Sequence, residues 1–169
     1  RDYSAFVDML YLHYCLRDLL AFDLVVNVLA ARDYTERPLV TKGDVRHLLD
    51  DASTAQPHIQ QWTEASRDKL ANSILTALRD FGMLEGRLKK HLDRRPLSDL
   101  AAEHLLRILV SEGQRGREVI FNRTWKLFLL SEQEVSAKLG KLALNGRIRY
   151  EKAGKTVVLE TPSEWEDAA

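Results

Sequence analysis

A single cysteine, Cys15, leaves no internal disulfide and suits a reducing cytosol. No apolar run is long enough to cross a membrane. The best stretch, residues 21–31, is broken by Asp23 and Asn27 and falls far short of the ~20 residues a span needs. Neither sign of charge is in excess, with 25 basic and 25 acidic side chains. Net charge therefore names no partner, and a nucleic-acid surface would have to come from local segregation. Catalytic patterns are missing as well. His13 and Cys15, two apart on a helix, point in different directions, and His47, His58, His91 and His104 are scattered without ligand spacing. Gly82, Gly86, Gly113 and Gly116 read as turns or caps and not as a phosphate loop. These absences favour a protein that is not an enzyme, with no cofactor, no metal and no small-molecule substrate.

What is present is helical periodicity with clear punctuation. Phe6, Leu10 and Tyr14, then Leu20, Leu24 and Val28, recur at helical spacing, with a break between Leu16 and Leu20. Pro38 ends this region, Thr41 with Asp44 caps a short helix, and Pro57 marks a loop. Leu70, Ile74, Leu78 and Phe81 form the stripe of a longer helix that stops at Gly82. After Pro96, Ser98 caps a helix whose face reads Leu100, His104 or Leu105, and Ile108. Ser131 and Glu134 make a capping box for a helix carrying Val135, Leu139 and Leu142 and ending at Asn145-Gly146. A hairpin comes next, with Ile148, Tyr150, Val157 and Leu159 on one face and Ala153-Gly154 at the turn. Trp62, Trp125 and Phe128 are expected as core anchors, and Trp165 as a residue folded back onto an apolar groove. Gly140, which costs roughly 1 kcal/mol against Ala inside a helix, is expected at a close helix contact.

Placing Gly82 on Gly146 aligns Leu78 with Leu142, Leu75 with Leu139 and Ala71 with Val135. Both copies run in the same order: a helix, a Gly, a short apolar strand and a basic ribbon. The fold class expected is mainly α with small β-hairpins: a helical part over 1–39, then tandem winged-helix or helix-turn-helix-like modules over 40–97 and 98–160. An acidic tail occupies 161–169.

Charge segregates along the same lines. Acids outnumber bases before Thr63, whereas residues 63–97 and 112–155 are both locally basic. Candidate DNA contacts on the first module are Lys69 and Arg79 on the helix, then Arg87, Lys89, Lys90, Arg94 and Arg95 on the ribbon. On the second they are Lys138, Lys141 and Asn145 on the helix, then Arg147, Arg149, Lys152 and Lys155. Lys and Arg on such ribbons suit phosphates, while Asn72, Ser73 and Thr76 beside Lys69 could reach base edges.

The run Arg123-Thr-Trp-Lys-Leu-Phe-Leu-Leu-Ser-Glu-Gln-Glu-Val, with the hairpin after Gly146, resembles the BrxA family of bacterial BREX (bacteriophage exclusion) defence systems. So do Trp62-Thr-Glu-Ala-Ser-Arg-Asp-Lys-Leu, the stretch Ala77-Leu-Arg-Asp-Phe-Gly-Met-Leu-Glu-Gly, the Tyr11-Leu-His segment and the Arg95-Pro-Leu-Ser junction. The resemblance implies a mostly helical protein with helix-turn-helix elements that binds double-stranded DNA and works beside other BREX proteins. The single cysteine and the lack of a long apolar run add the expectation of a cytoplasmic location with no membrane partner. The resemblance also implies further helical sequence ahead of Tyr3, in line with a chain that opens at Arg1 without Met. The alternative reading is an adaptor that docks other defence subunits and does not bind DNA itself.

Overall fold

The computed structural model describes residues 3–32, 34–154 and 156–165. It is mainly helical, with two small antiparallel sheets. The chain divides into two compact units. The inner unit is His13–Arg95; the flanking unit joins Arg1–Leu12 to Pro96–Ala169. Helix α1 (Tyr3–Arg17) contributes Tyr3–Leu12 to the flanking unit and His13–Arg17 to the inner one.

In the inner unit α1 gives way at Asp18. The Asp18 carboxylate accepts the Leu20 and Ala21 N–H groups at 3.1 and 3.0 Å and so caps α2 (Leu19–Asp23). A π-helical segment, Leu24–Leu29, continues the helix and buries Leu24, Val25, Val26 and Leu29. After β1 (Leu39–Val40), Thr41 and Asp44 form the expected capping box of α3 (Lys42–Ala55). Burial pushes the Asp44 carboxyl up, but the Thr41 N–H and the Arg32 guanidinium outweigh it and hold the carboxyl below its usual range. Thr63 Oγ1 accepts the Ser66 N–H at 3.2 Å and starts α4 (Glu64–Asp80). Val45 and Leu49 of α3, with Ala71, Ile74, Leu75 and Leu78 of α4, lie inside.

The C-terminal end of α4 is closed by a glycine. Gly82 takes φ +76°, its N–H bonds to the Arg79 carbonyl at 2.8 Å, and the Met83 N–H bonds to the Leu78 carbonyl at 2.8 Å. This closure caps the last helical carbonyls and turns the chain sharply back. Strands β2 (Leu84–Glu85) and β3 (Lys90–Leu92) then pair, Leu84 with Leu92 and Glu85 with His91. β3 also pairs with β1, Leu39 opposite His91, giving an antiparallel sheet of order β1-β3-β2.

The flanking unit contains α5 (Asp99–Ser111), α6 (Arg117–Phe121), a 3-10 turn over Arg123–Phe128, α7 (Glu132–Leu144) and the hairpin β4 (Arg149–Ala153) with β5 (Thr156–Glu160). Its core is pinned by two buried hydrogen bonds. The Tyr11 hydroxyl donates to the Leu127 carbonyl at 2.8 Å, and Trp125 Nε1 donates to the Val119 carbonyl at 2.8 Å. Buried Asp8 accepts the Ser98 N–H at 3.1 Å, while Ser98 Oγ accepts the Ala101 N–H and caps α5. The Ser131–Glu134 capping box opens α7. Its end repeats the α4 closure. Gly146 takes φ +69°, its N–H bonds to the Ala143 carbonyl at 2.9 Å, and the Arg147 N–H bonds to the Leu142 carbonyl at 3.0 Å. The Gly82–Gly146 correspondence read from sequence therefore has a counterpart in backbone geometry.

Several side chains lie elsewhere than their spacing predicts. Phe6 and Leu10 are exposed, because α1 turns Ala5, Asp8, Tyr11 and Leu12 inward. Leu100 is exposed too, since α5 buries the neighbouring stripe Ala101, Ala102, Leu105, Leu106 and Leu109. Trp62 sits at the surface beside His58 and not in a core. A Cβ on Gly140 would meet nothing within 4 Å, so no close helix contact explains that residue among the described ones. Trp125 and Phe128 are core residues as expected, and Trp165 is buried with the Arg107 guanidinium 4.5 Å above its ring.

Two acids on α5 tie down α7 and the segment after it. Glu103 takes Arg147 in a two-pronged pair at 2.7 and 2.7 Å and Arg107 at 2.9 Å. Asp99 takes Lys138 at 3.1 Å and Lys141 at 2.7 Å. The Arg147 hydrogen bonds hold Glu103 below the usual carboxylate range against its burial, and the Lys141 contact does the same for Asp99. With folded-state values depressed, both groups stabilise the protein above their ordinary values near ~4, and that contribution is lost as pH falls through the folded values. Glu103→Gln is expected to cost about 1–2 kcal/mol at neutral pH, measured as a lower urea midpoint. The gap from wild type should close in acid; a gap independent of pH would contradict the assignment.

Candidate nucleic-acid interface

Helix α4 is amphipathic. The same turns that bury Ala71, Ile74, Leu75 and Leu78 leave Lys69, Asn72, Ser73 and Thr76 exposed. That outer stripe is polar and carries donors and acceptors of the kinds that can hydrogen-bond base edges. Acids elsewhere on α4 are already committed. Glu64 and Asp68 pair with Arg46 of α3 at 3.1 and 2.6 Å, and Lys42 adds a looser contact to Asp68 at 3.9 Å. Lys69 has no ion pair among the described residues.

The β2–β3 hairpin springs directly from the C-terminal end of α4. Its four-residue connection, Gly86-Arg87-Leu88-Lys89, is wholly exposed. Gly86 has φ +103°, and a Cβ there would fall 2.0 Å from the Lys89 carbonyl oxygen, so the turn closes tightly on its own backbone. Lys90 Nζ donates to the Arg87 carbonyl at 3.0 Å. At the base, Arg37 pairs with Glu85, and His91 Nδ1 hydrogen-bonds the Arg37 carbonyl at 2.9 Å. Arg87 and Lys89 make no side-chain ion pair among the described residues. The result is a braced hairpin with two uncommitted cations at its tip.

Most of the remaining expected residues are paired or half-buried. Arg79 is paired with Asp80 at 2.6 Å. Arg94 and Arg95 come after β3 and are half-buried, the Arg95 side chain lying over Gly82 where a Cβ would approach it to 3.0 Å. In the flanking unit Lys138 and Lys141 are held by Asp99, Lys138 also donating to the Leu97 carbonyl at 2.6 Å. Arg147 is held by Glu103, and Arg149 by Glu151 and Glu160 at 3.1 and 3.2 Å. Asn145 caps α7, and Lys152 is exposed and unpaired among the described residues. Lys155 lies outside the described residues.

Two features escape a reading of charge alone. One is Leu88, the apolar residue between Arg87 and Lys89, whose signal was an apolar side chain at the middle of a basic turn. The other is the pairing of Asp99 with the α7 cations Lys138 and Lys141 and of Glu103 with Arg147 after α7, for which the spacing of two acids four apart on α5 was the available sign. Among the described residues no group of three or more His, Cys, Asp or Glu could hold a metal ion, and no helix is long and apolar enough to cross a membrane.

No curated protein and no solved structure matches the chain. A family model does: residues 4–109 match the one described as BrxA. The matched stretch takes in the whole inner unit, with the amphipathic α4 and the basic hairpin, and on that match the chain belongs to the BrxA family and is a protein associated with BREX phage defence.

Proposed function

We propose that this chain is a non-enzymatic, cytoplasmic DNA-binding accessory protein of BREX defence, and that the inner unit makes the principal contact. That unit reads as a winged-helix module. The order helix, β1, α3, α4, β2, β3, with the sheet arranged β1-β3-β2, supports this reading, since it leaves α4 followed at once by a projecting hairpin. In such a module α4 enters the major groove with Lys69, Asn72, Ser73 and Thr76 toward the bases, and the hairpin serves as the wing. Arg87 and Lys89 meet phosphates, with Lys90 beside them.

The observation that carries the proposal is the distribution of unpaired cations. A cation already neutralised by a carboxylate at 2.7 Å has to break that pair to release counterions from DNA, so it adds little to binding. Lys69, Arg87 and Lys89 face no such competition among the described residues, whereas Lys138, Lys141, Arg147 and Arg149 do. The flanking unit is read as a second, winged-helix-like module with a lesser DNA role, contributed through Lys152 and Asn145. Its self-neutralised surface is also the feature that favours the adaptor reading, in which it docks other BREX proteins.

Titration of the full chain against a fluorescent duplex tests this directly. With about four phosphate contacts, affinity should fall roughly 100-fold between about 50 and about 200 mM salt. The double variant Arg87→Glu/Lys89→Glu should abolish most binding, while Arg147→Glu and Arg149→Glu should each leave most of it. Salt-independent binding would overturn the phosphate reading. No binding, with retained capture of another BREX subunit, would establish the adaptor instead.

A further inference from the structure

We propose that Leu88 is an apolar wedge that enters a groove of the bound duplex, unstacks a base step and bends the DNA. This rests on the DNA-binding reading above and goes beyond it, from where the protein binds to what it does to the duplex. Three observations converge on this residue. Leu88 is 100% exposed, at the middle of the connection between β2 and β3. Its neighbours on either side, Arg87 and Lys89, are exposed cations without ion pairs among the described residues. The backbone beneath it is fixed by the Gly86 conformation and by the Lys90 contact to the Arg87 carbonyl, so the side chain is held out at one point and does not fold back.

An isolated exposed leucine is ordinary on a protein surface. Leu144, 91% exposed on α7, is such a case, for the nearby Lys141 is already bound to Asp99. Leu88 differs because the cations beside it would bring it against a polyanion. Two phosphates engaged by Arg87 and Lys89 would leave the intervening leucine aimed between them at the base edges. Proteins that bend DNA use this arrangement, with an apolar side chain wedged between base pairs and basic residues flanking it. A wedge of this kind favours steps that unstack easily, such as pyrimidine–purine steps, so preference arises there without hydrogen bonds to the bases.

The test uses the full chain and duplexes carrying either a donor–acceptor dye pair at the two ends or a 2-aminopurine moved along the sequence. Wild type at saturation should shorten the end-to-end distance, corresponding to a bend of roughly 20° or more, and should raise 2-aminopurine emission at one step. Leu88→Ala should still bind but lose both signals, and Leu88→Phe should restore them. Wild type that binds without bending or unstacking, or a Leu88→Ala variant that bends DNA as wild type does, overturns the wedge while leaving DNA binding intact. Wild type that fails to bind any duplex overturns both readings together.

Discussion

The 2.8 Å hydrogen bond from the Met83 N–H to the Leu78 carbonyl decides where the basic hairpin can go. It forms only because residue 82 accepts φ +76°, a conformation that costs glycine nothing and strains any other residue. Once it forms, the chain leaves α4 folded back on itself and Leu84 drops into the core, leaving Glu85 to begin the exposed arm. The helix and the hairpin are thus placed by one local event. The Arg95 side chain lies over Gly82, so a Cβ there would also crowd Arg95 at 3.0 Å.

Charge is then sorted by pairing more than by abundance. The protein is neutral overall, and many of its cations face acids of the same unit. In the flanking unit Asp99 and Glu103 stitch α5 to α7 and to the segment after it, which stabilises that unit and lowers its positive potential. In the inner unit Arg46 takes up the α4 acids Glu64 and Asp68. That leaves Lys69 and the hairpin tip with their charge available. A neutral protein can present a phosphate-binding surface in this way without a basic composition.

Local chemistry was legible in the sequence. The Thr41–Asp44 and Ser131–Glu134 boxes, the Ser98 cap and the Gly82 and Gly146 closures depend on residues a few positions apart, and each occurs where the spacing puts it. Which face of a helix goes inside was less legible, as Phe6, Leu10 and Leu100 demonstrate, since that choice depends on the element packed against it. β1 is two residues long and exists only through its pairing with β3, so no local pattern announces it. The candidate contacts could be ranked by charge and position, but not by whether a carboxylate had already claimed them. Asp99 lies 39 residues from Lys138, and Glu103 lies 44 from Arg147, separations that only the tertiary fold brings together.

The central claim is that DNA lies chiefly against α4 of the inner unit, with α7 of the flanking one in at most a lesser role. Site-specific photo-crosslinking from the full chain measures this most directly, with a photoreactive side chain placed at Thr76 in one variant and at Lys141 in another. Efficient crosslinking to a duplex from position 76 and little from position 141 is the expected result. Crosslinking from position 141 with none from position 76 would contradict it.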